Sequence, residues 1–188
     1  MYNSRMFKFD SENNQYTFKG NNYFAILSAG TLFMAFSGIR LIFDILPFEY
    51  DYTGADVFGL IFVCFWTLLV FIGFIISINN ATKRIIINSE SVICKTLFFK
   101  ETYLWSEIED WGLSYCGGTR GEGNTYYFYF SKQQQRIKNE CRKNLRGKMI
   151  KTFIFEGDYE AIIKEVIPFC STRTFIKPFI GVDKHHWF

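Results

Sequence analysis

The chain has 188 residues, a formal charge of +3, two histidines and five cysteines. That length admits one or two domains and no more. The cysteines, at 64, 94, 116, 141 and 170, are odd in number, far apart and without a C-x-x-C, which sets aside a disulfide framework or a Cys-based zinc site and points to free thiols in a reducing compartment.

Residues 1–22 alternate in two pieces. Phe7 and Phe9 flank Lys8, Tyr16 and Phe18 flank Thr17, and the turn-rich Asp10-Ser11-Glu12-Asn13-Asn14 lies between them. The pattern predicts a β-hairpin, with a frayed tail as the alternative.

Two apolar runs follow, Tyr23 to Leu46 and Val57 to Ile78. As helices they reach about 36 and about 33 Å, against about 30 Å of bilayer hydrocarbon. The rest of the chain is too short to shield such a pair in a soluble protein, so 23–80 is expected to be a two-helix transmembrane hairpin. A cleaved signal peptide fits poorly, because the apolar stretch is long, starts far from Met1 and precedes a second span. Arg5, Lys8 and Lys19 lie before the spans and Lys83 and Arg84 after them, while the loop carries Glu49, Asp51 and Asp56 without a Lys or Arg. Positive-inside bias puts both termini in the cytoplasm and the loop outside, with Tyr50 and Tyr52 at the outer interface of a bacterial-type plasma membrane.

Arg40 and Asp44 are the charges inside the first span, four residues apart on one helical face. They read as an ion pair marking helix depth, with an ion or substrate pathway as the functional alternative. Ala25, Ser28, Thr31, Ala35 and Gly38 form a small-residue stripe that lets another helix approach, either the second span or the same span of a homodimer.

From Lys83 onward the chain is strongly charged, and its period changes to two. Arg84 to Asn88, Val92 to Phe98, Tyr103 to Trp105, Trp111 to Tyr115, Tyr126 to Phe130 and Met149 to Phe155 read as six short antiparallel strands. A closing amphipathic helix starts near the N-cap Asp158, with Tyr159, Ile162, Ile163 and Val166 on its apolar face and Pro168 to kink or end it. The class is therefore a membrane α-helical hairpin plus an α+β cytoplasmic domain over 81–170.

The stretch Arg84-Ile85-Ile86-Ile87-Asn88-Ser89-Glu90-Ser91-Val92, followed by Lys100-Glu101-Thr102-Tyr103-Leu104-Trp105-Ser106-Glu107-Ile108, resembles bacterial pleckstrin-homology (PH)-like domains, which are often tethered behind two membrane helices as in the YcxB-like proteins. The resemblance implies a small β-barrel or sandwich closed by the C-terminal helix, and it speaks to fold rather than function. Six strands stand where the family has seven, and 132–146 departs from the pattern.

Trp105 is expected to plug the sheet. Ser106 has no base for nucleophilic catalysis, since His185 and His186 are in the last four residues, and no catalytic signature appears elsewhere. The loop Gly117-Gly118-Thr119-Arg120-Gly121-Glu122-Gly123-Asn124 lacks the Lys-Ser/Thr of a phosphate loop and reads as a hairpin connection, although Arg120 at its tip can reach an anionic partner.

The most distinctive soluble segment holds Lys132, Arg136, Lys138, Arg142, Lys143, Arg146, Lys148 and Lys151 against Glu140 alone. Ser131 with Gln134 matches a capping box, Ile137, Cys141 and Leu145 step by four, and Gly147 suits a C-cap, so a basic helix over 131–147 is expected to interrupt the strands. Its basic face is either solvated or drawn to anionic lipid of the inner leaflet. Nucleic acid is disfavoured for a membrane-tethered domain without a binding motif. The tail from Ser171 to Phe188 has no period, and the His185-His186 pair lacks further metal ligands.

These features favour a membrane-anchored binding or scaffold protein, without metal or cofactor, that presents a basic cytoplasmic domain to a protein or anionic-lipid partner. The alternative is a small transport- or immunity-type protein whose hairpin, with Arg40 and Asp44, is the active part.

Overall fold

The computed structural model describes residues 6–19, 22–45, 54–117 and 125–181, with backbone alone at 22–24, 43–45 and 54–56. The expectations for the loop residues Glu49, Tyr50, Asp51 and Tyr52, for the side chains of Asp44 and Asp56, for Arg120, and for His185 and His186 lie outside the described residues. The chain divides into two units, 20–83 on one hand and 1–19 with 84–188 on the other.

The first unit is a helix pair, α1 (Asn22–Ile45) and α2 (Gly54–Ala81). Both helices are long and apolar enough to cross a membrane. A core helix of a soluble protein would be mostly buried, whereas 11% of the α1 window and 6% of the α2 window are. Ser28 and Ala35 of the small-residue stripe are buried, and a Cβ on Gly38 would strike the side chain of Thr67. The stripe thus serves the intramolecular helix contact at Gly38, where the absent side chain lets the two helices close.

The second unit begins with the tail. β1 (Phe7–Asp10) and β2 (Gln15–Lys19) form the expected hairpin. Its turn is held by the Asp10 carboxylate, which accepts from the Asn13 side chain at 2.7 Å and the Glu12 amide at 3.2 Å. β2 then pairs antiparallel with β3 (Arg84–Ile87), the first strand after α2. With β4 (Ser91–Lys95) and β5 (Lys100–Leu104) the result is a five-stranded sheet in chain order, two strands of which precede the helices.

A 3-10 turn at Trp105–Glu107 crosses to β6 (Asp110–Tyr115) and β7 (Thr125–Ser131). Two short strands, β8 (Arg136–Asn139) and β9 (Arg142–Asn144), pair with each other before β10 (Met149–Phe155) returns to β7. The tail supplies β11 (Phe179–Ile180), parallel to β6, which gives a second sheet in the order β10-β7-β6-β11. All six strands read from the alternation are present, with two corrected ends: β4 stops at Lys95, so that Thr96 to Phe98 belong to the turn instead of the strand, and Trp105 opens the 3-10 turn.

The two sheets share one core. Phe18, Ile85, Ile87 and Val92 from the first meet Leu113, Phe128, Phe130 and Ile150 from the second, with the Phe18 and Phe128 rings 5.5 Å apart. Trp105 is buried between them, its indole N–H donating to the Asn88 carbonyl at 3.1 Å. Both sheets are open, so among the described residues the barrel expectation reduces to two sheets over a common core.

The closing helix starts at Glu156, two residues earlier than expected, and Pro168 does not end it. α3 (Glu156–Ala161) passes through a π-helical stretch at Ile162–Val166 into α4 (Ile167–Ser171). The Ile167 amide donates to the Ile162 carbonyl, five residues back. This wider turn just before Pro168 lets the helix continue past a residue that has no N–H to give. Ile162, Val166, Ile167 and Cys170 are its buried face.

The basic helix expected over 131–147 is corrected: β8 and β9 occupy it. The Ser131 hydroxyl accepts from the Gln133 amide within a local turn instead of capping a helix. Asn139 accepts from the Cys141 amide at 3.1 Å and closes a two-residue hairpin turn. The apolar step of four was misleading, because Ile137 is 63% exposed and so does not belong to a docked stripe. Side chains buried beneath the segment, described below, hold it extended.

Gly112 has φ +139°, and a Cβ there would run into the Phe179 backbone of β11. The substitution Gly112→Ala is therefore expected to displace β11 and to lower stability by at least about 2 kcal/mol. Denaturant titration of the purified full-length chain reads this, and an unchanged midpoint would contradict the close approach.

Candidate functional site

β6, β7 and β10 each turn one side chain in two toward the shared core. The opposite face of β6 carries Asp110, Gly112 and Ser114, in register with Ser131, Tyr129 and Tyr127 of β7. In an ordinary antiparallel sheet this polar face would meet water. Here Asp110, Ser114, Tyr129 and Ser131 are all at most 2% exposed, because the segment from Lys132 to Gly147 lies over them.

Asp110 is the centre of that cover. Its carboxylate accepts from the Tyr129 hydroxyl at 3.1 Å, the Gln135 amide at 2.8 Å and the Lys143 ammonium at 2.7 Å on each oxygen. The Lys143 amide donates to the Ser114 hydroxyl at 2.9 Å, and the Gln135 side chain accepts from the Arg146 amide at 2.8 Å. A buried charge is tolerable only when its lone pairs and protons are matched, and these bonds meet that condition. Burial pushes the Tyr129 phenol up, and the Asp110 charge adds to the effect, so Tyr129 remains a donor. The same bonds hold β8 and β9 in place.

Beside this floor, with Lys143 common to both, lies a cleft of about 560 Å³. Arg136 and Lys138 of β8, Arg142 of β9 and Lys151 of β10 line it together with Tyr115 and Tyr127. None of the described lining residues is acidic. Arg136, Lys138 and Arg142 are exposed, and the Lys151 ammonium sits 5.1 Å from the centre of the Tyr127 ring. The Tyr127 ring also packs, tilted, against Phe153 with centres 4.4 Å apart. Burial and the neighbouring Cys116 push the Tyr127 phenol up while the Arg142 charge opposes them, so the wall presents a neutral hydroxyl. Convergent cations beside phenol rings suit a phosphate or carboxylate group.

The expected basic residues therefore separate. Arg136, Lys138 and Arg142 converge on the cleft, whereas the Lys143 charge is spent on Asp110. Lys132 pairs with Glu107 at 2.9 Å and lies 4.7 Å from the Tyr103 ring centre, on the first sheet's side. With the Leu104 amide, Lys132 holds the Glu107 carboxyl below the usual carboxylate range. Lys148 pairs with Glu101 at 3.2 Å. Arg146 lines a smaller depression with Gln133, Gln134 and Gln135.

The floor residues Asp110, Ser114, Tyr129 and Gln135 were missed in the sequence. A signal for them existed: Tyr126-Tyr127-Phe128-Tyr129-Phe130 is aromatic at every position, as expected of a strand covered on both faces.

Replacing Asp110 by Ala leaves the Lys143 ammonium buried without its partner and is expected to cost about 3–5 kcal/mol, whereas the double change Asp110→Asn with Lys143→Met is expected to recover most of the loss. Equal losses in chemical denaturation of the two variants would argue against the ion pair as the anchor of β8 and β9.

Compared with protein-family models, with curated proteins and with solved structures, the chain finds no match.

Proposed function

We propose that this chain is a two-pass membrane-anchored binding protein whose PH-like domain offers the Arg136, Lys138 and Arg142 cleft to an anionic partner on the cytoplasmic side. The observation that carries the reading is the cleft itself, with several cations and phenol rings converging on one concave space free of described carboxylates. The partner is an acidic protein segment or the phosphate-bearing headgroup of an anionic lipid. Two sheets over one core with a C-terminal helix support the PH-like relation, although the sheets remain open.

Membrane anchoring is supported by the length, apolarity and exposure of α1 and α2. The pairing of β2 with β3 supports a hairpin whose two ends emerge on one side, since neighbouring strands of one sheet flank it. The cations Lys19, Lys83 and Arg84 at those ends favour the cytoplasm by the positive-inside bias. Reporter fusions at either terminus are expected to be active only in the cytoplasm, and a tag between 46 and 53 is expected to be reached from outside. A terminus reached from outside would reverse the orientation.

Binding is tested with the full-length protein in a neutral-lipid nanodisc, titrated with a fluorescent inositol polyphosphate and, separately, with a fluorescent poly-glutamate peptide. Arg136→Glu with Lys138→Glu and Arg142→Glu is expected to weaken the bound probe by at least about tenfold, and rising salt is expected to weaken it further. Reversal of Lys132 and Lys148 is expected to leave the affinity nearly unchanged. Equal affinity in the cleft variant and the parent overturns the cleft as the site.

A further inference from the structure

The turn between β4 and β5 is Thr96-Leu97-Phe98-Phe99, and it breaks the rule that a hairpin tip is polar. Leu97, Phe98 and Phe99 are 55%, 55% and 70% exposed. The turn is nevertheless firmly built. The Thr96 amide donates to the Phe99 carbonyl at 2.8 Å, and the Thr96 hydroxyl accepts from the Phe99 amide at 3.0 Å. Three apolar side chains are thus projected from a closed hairpin.

Strand register shows where this tip lies. Lys19 is opposite Arg84, Arg84 is opposite Lys95, and Lys95 is opposite Lys100. Four exposed cations consequently form a row across β2, β3, β4 and β5, about 14 Å long at the usual strand spacing. Among the described residues none of the four is in an ion pair. Like charges directly opposite one another disfavour the sheet unless an anion covers them. β2 runs toward this edge and continues into α1, and β3 starts from it after α2. The Leu97–Phe99 tip projects beyond the same edge, next to the strand ends that join the helices.

We propose that the Leu97-Phe98-Phe99 turn inserts into the lipid surface and that Lys19, Arg84, Lys95 and Lys100 bind the anionic phospholipid headgroups around it. Apolar residues enter the acyl boundary while flanking lysines meet the headgroups, as in interfacial amphipathic segments. The bilayer is the occupant because the tip lies at the edge that leads into two membrane-length apolar helices and because its rim is cationic. The inference rests on the reading that α1 and α2 span a bilayer, and it is independent of the cleft.

The test is photo-crosslinking of the full-length protein in nanodiscs containing phosphatidylglycerol, with p-benzoylphenylalanine placed in turn at positions 98, 66 and 89. Position 66 lies within α2, and 89 lies in the β3–β4 turn at the opposite edge of the sheet. Lipid adducts are expected at 66 and 98 and not at 89. The yield at 98 is expected to fall several-fold in phosphatidylcholine discs and in the Lys95→Glu, Lys100→Glu variant. Adducts at 66 without any at 98, or adducts at 98 to protein alone, overturn the insertion while leaving the spanning helices intact. Equal yields at 98 in both lipids and in the charge variant overturn the headgroup row. No lipid adduct at 66 removes the spanning reading and the inference with it.

Discussion

The pairing of β2 with β3 is the constraint on which the rest of the soluble unit depends. Residues 20–83 leave one strand and come back as its neighbour, so the sheet is closed across the whole helical segment. Phe7, Tyr16 and Phe18 of the tail are buried in the same core as Ile85, Ile87 and Phe128. Without the tail, that core would lose three large aromatic side chains, and β3 would present an unpaired edge to solvent. The core built by the segment from Ala81 onward is therefore completed by the tail. Closing a sheet over some sixty intervening residues carries a loop entropy that grows only slowly with length, and packing of α1 on α2 brings the ends together.

A second dependence runs through Asp110. The sheet of β6, β7 and β10 has an apolar face toward the core and a polar face that is also buried, and the second exists only because the Lys132–Gly147 segment covers it. Lys143 supplies the charge match, and Gln135 and Ser114 fix the backbone of the cover. The usual cost of removing two charges from water is offset by bonds to both carboxylate oxygens and by a buried Tyr129 donor. The bonds at this floor fix the backbone at Gln135 and Lys143, next to Arg136 and Arg142 in the chain.

Much of this was legible in advance where one periodic signal acted alone. The two long helices were visible in apolar runs, the first broken only by Arg40 and Asp44, and each strand of the two main sheets except β11 was visible in period-two alternation. The hairpin of Phe7, Phe9, Tyr16 and Phe18 was legible too, but its pairing partner was not, because register across more than sixty residues leaves no local trace. The basic segment failed for a different reason. Ile137, Cys141 and Leu145 fit a helical step, yet the side chain that decides the conformation is Lys143, whose partner Asp110 lies in another strand. A tertiary ion pair overrode a local pattern, and the candidate site moved with it, from a helical face to a cleft.

The two cationic features are different physical devices. The cleft is concave, Tyr115 and Tyr127 line it, and its cations reach it from three strands, β8, β9 and β10. The row of Lys19, Arg84, Lys95 and Lys100 is linear, and its apolar element is a projecting tip rather than a wall. A line of charge with a protruding wedge has no concave wall to enclose a small anion, which is why its proposed occupant is an extended surface and that of the cleft a discrete group. The positive charge of the second unit is accordingly not one basic face: Arg136, Lys138, Arg142 and Lys151 line a cleft beside the second sheet, Lys19, Arg84, Lys95 and Lys100 cross the first, and Lys132, Lys143 and Lys148 are paired with carboxylates.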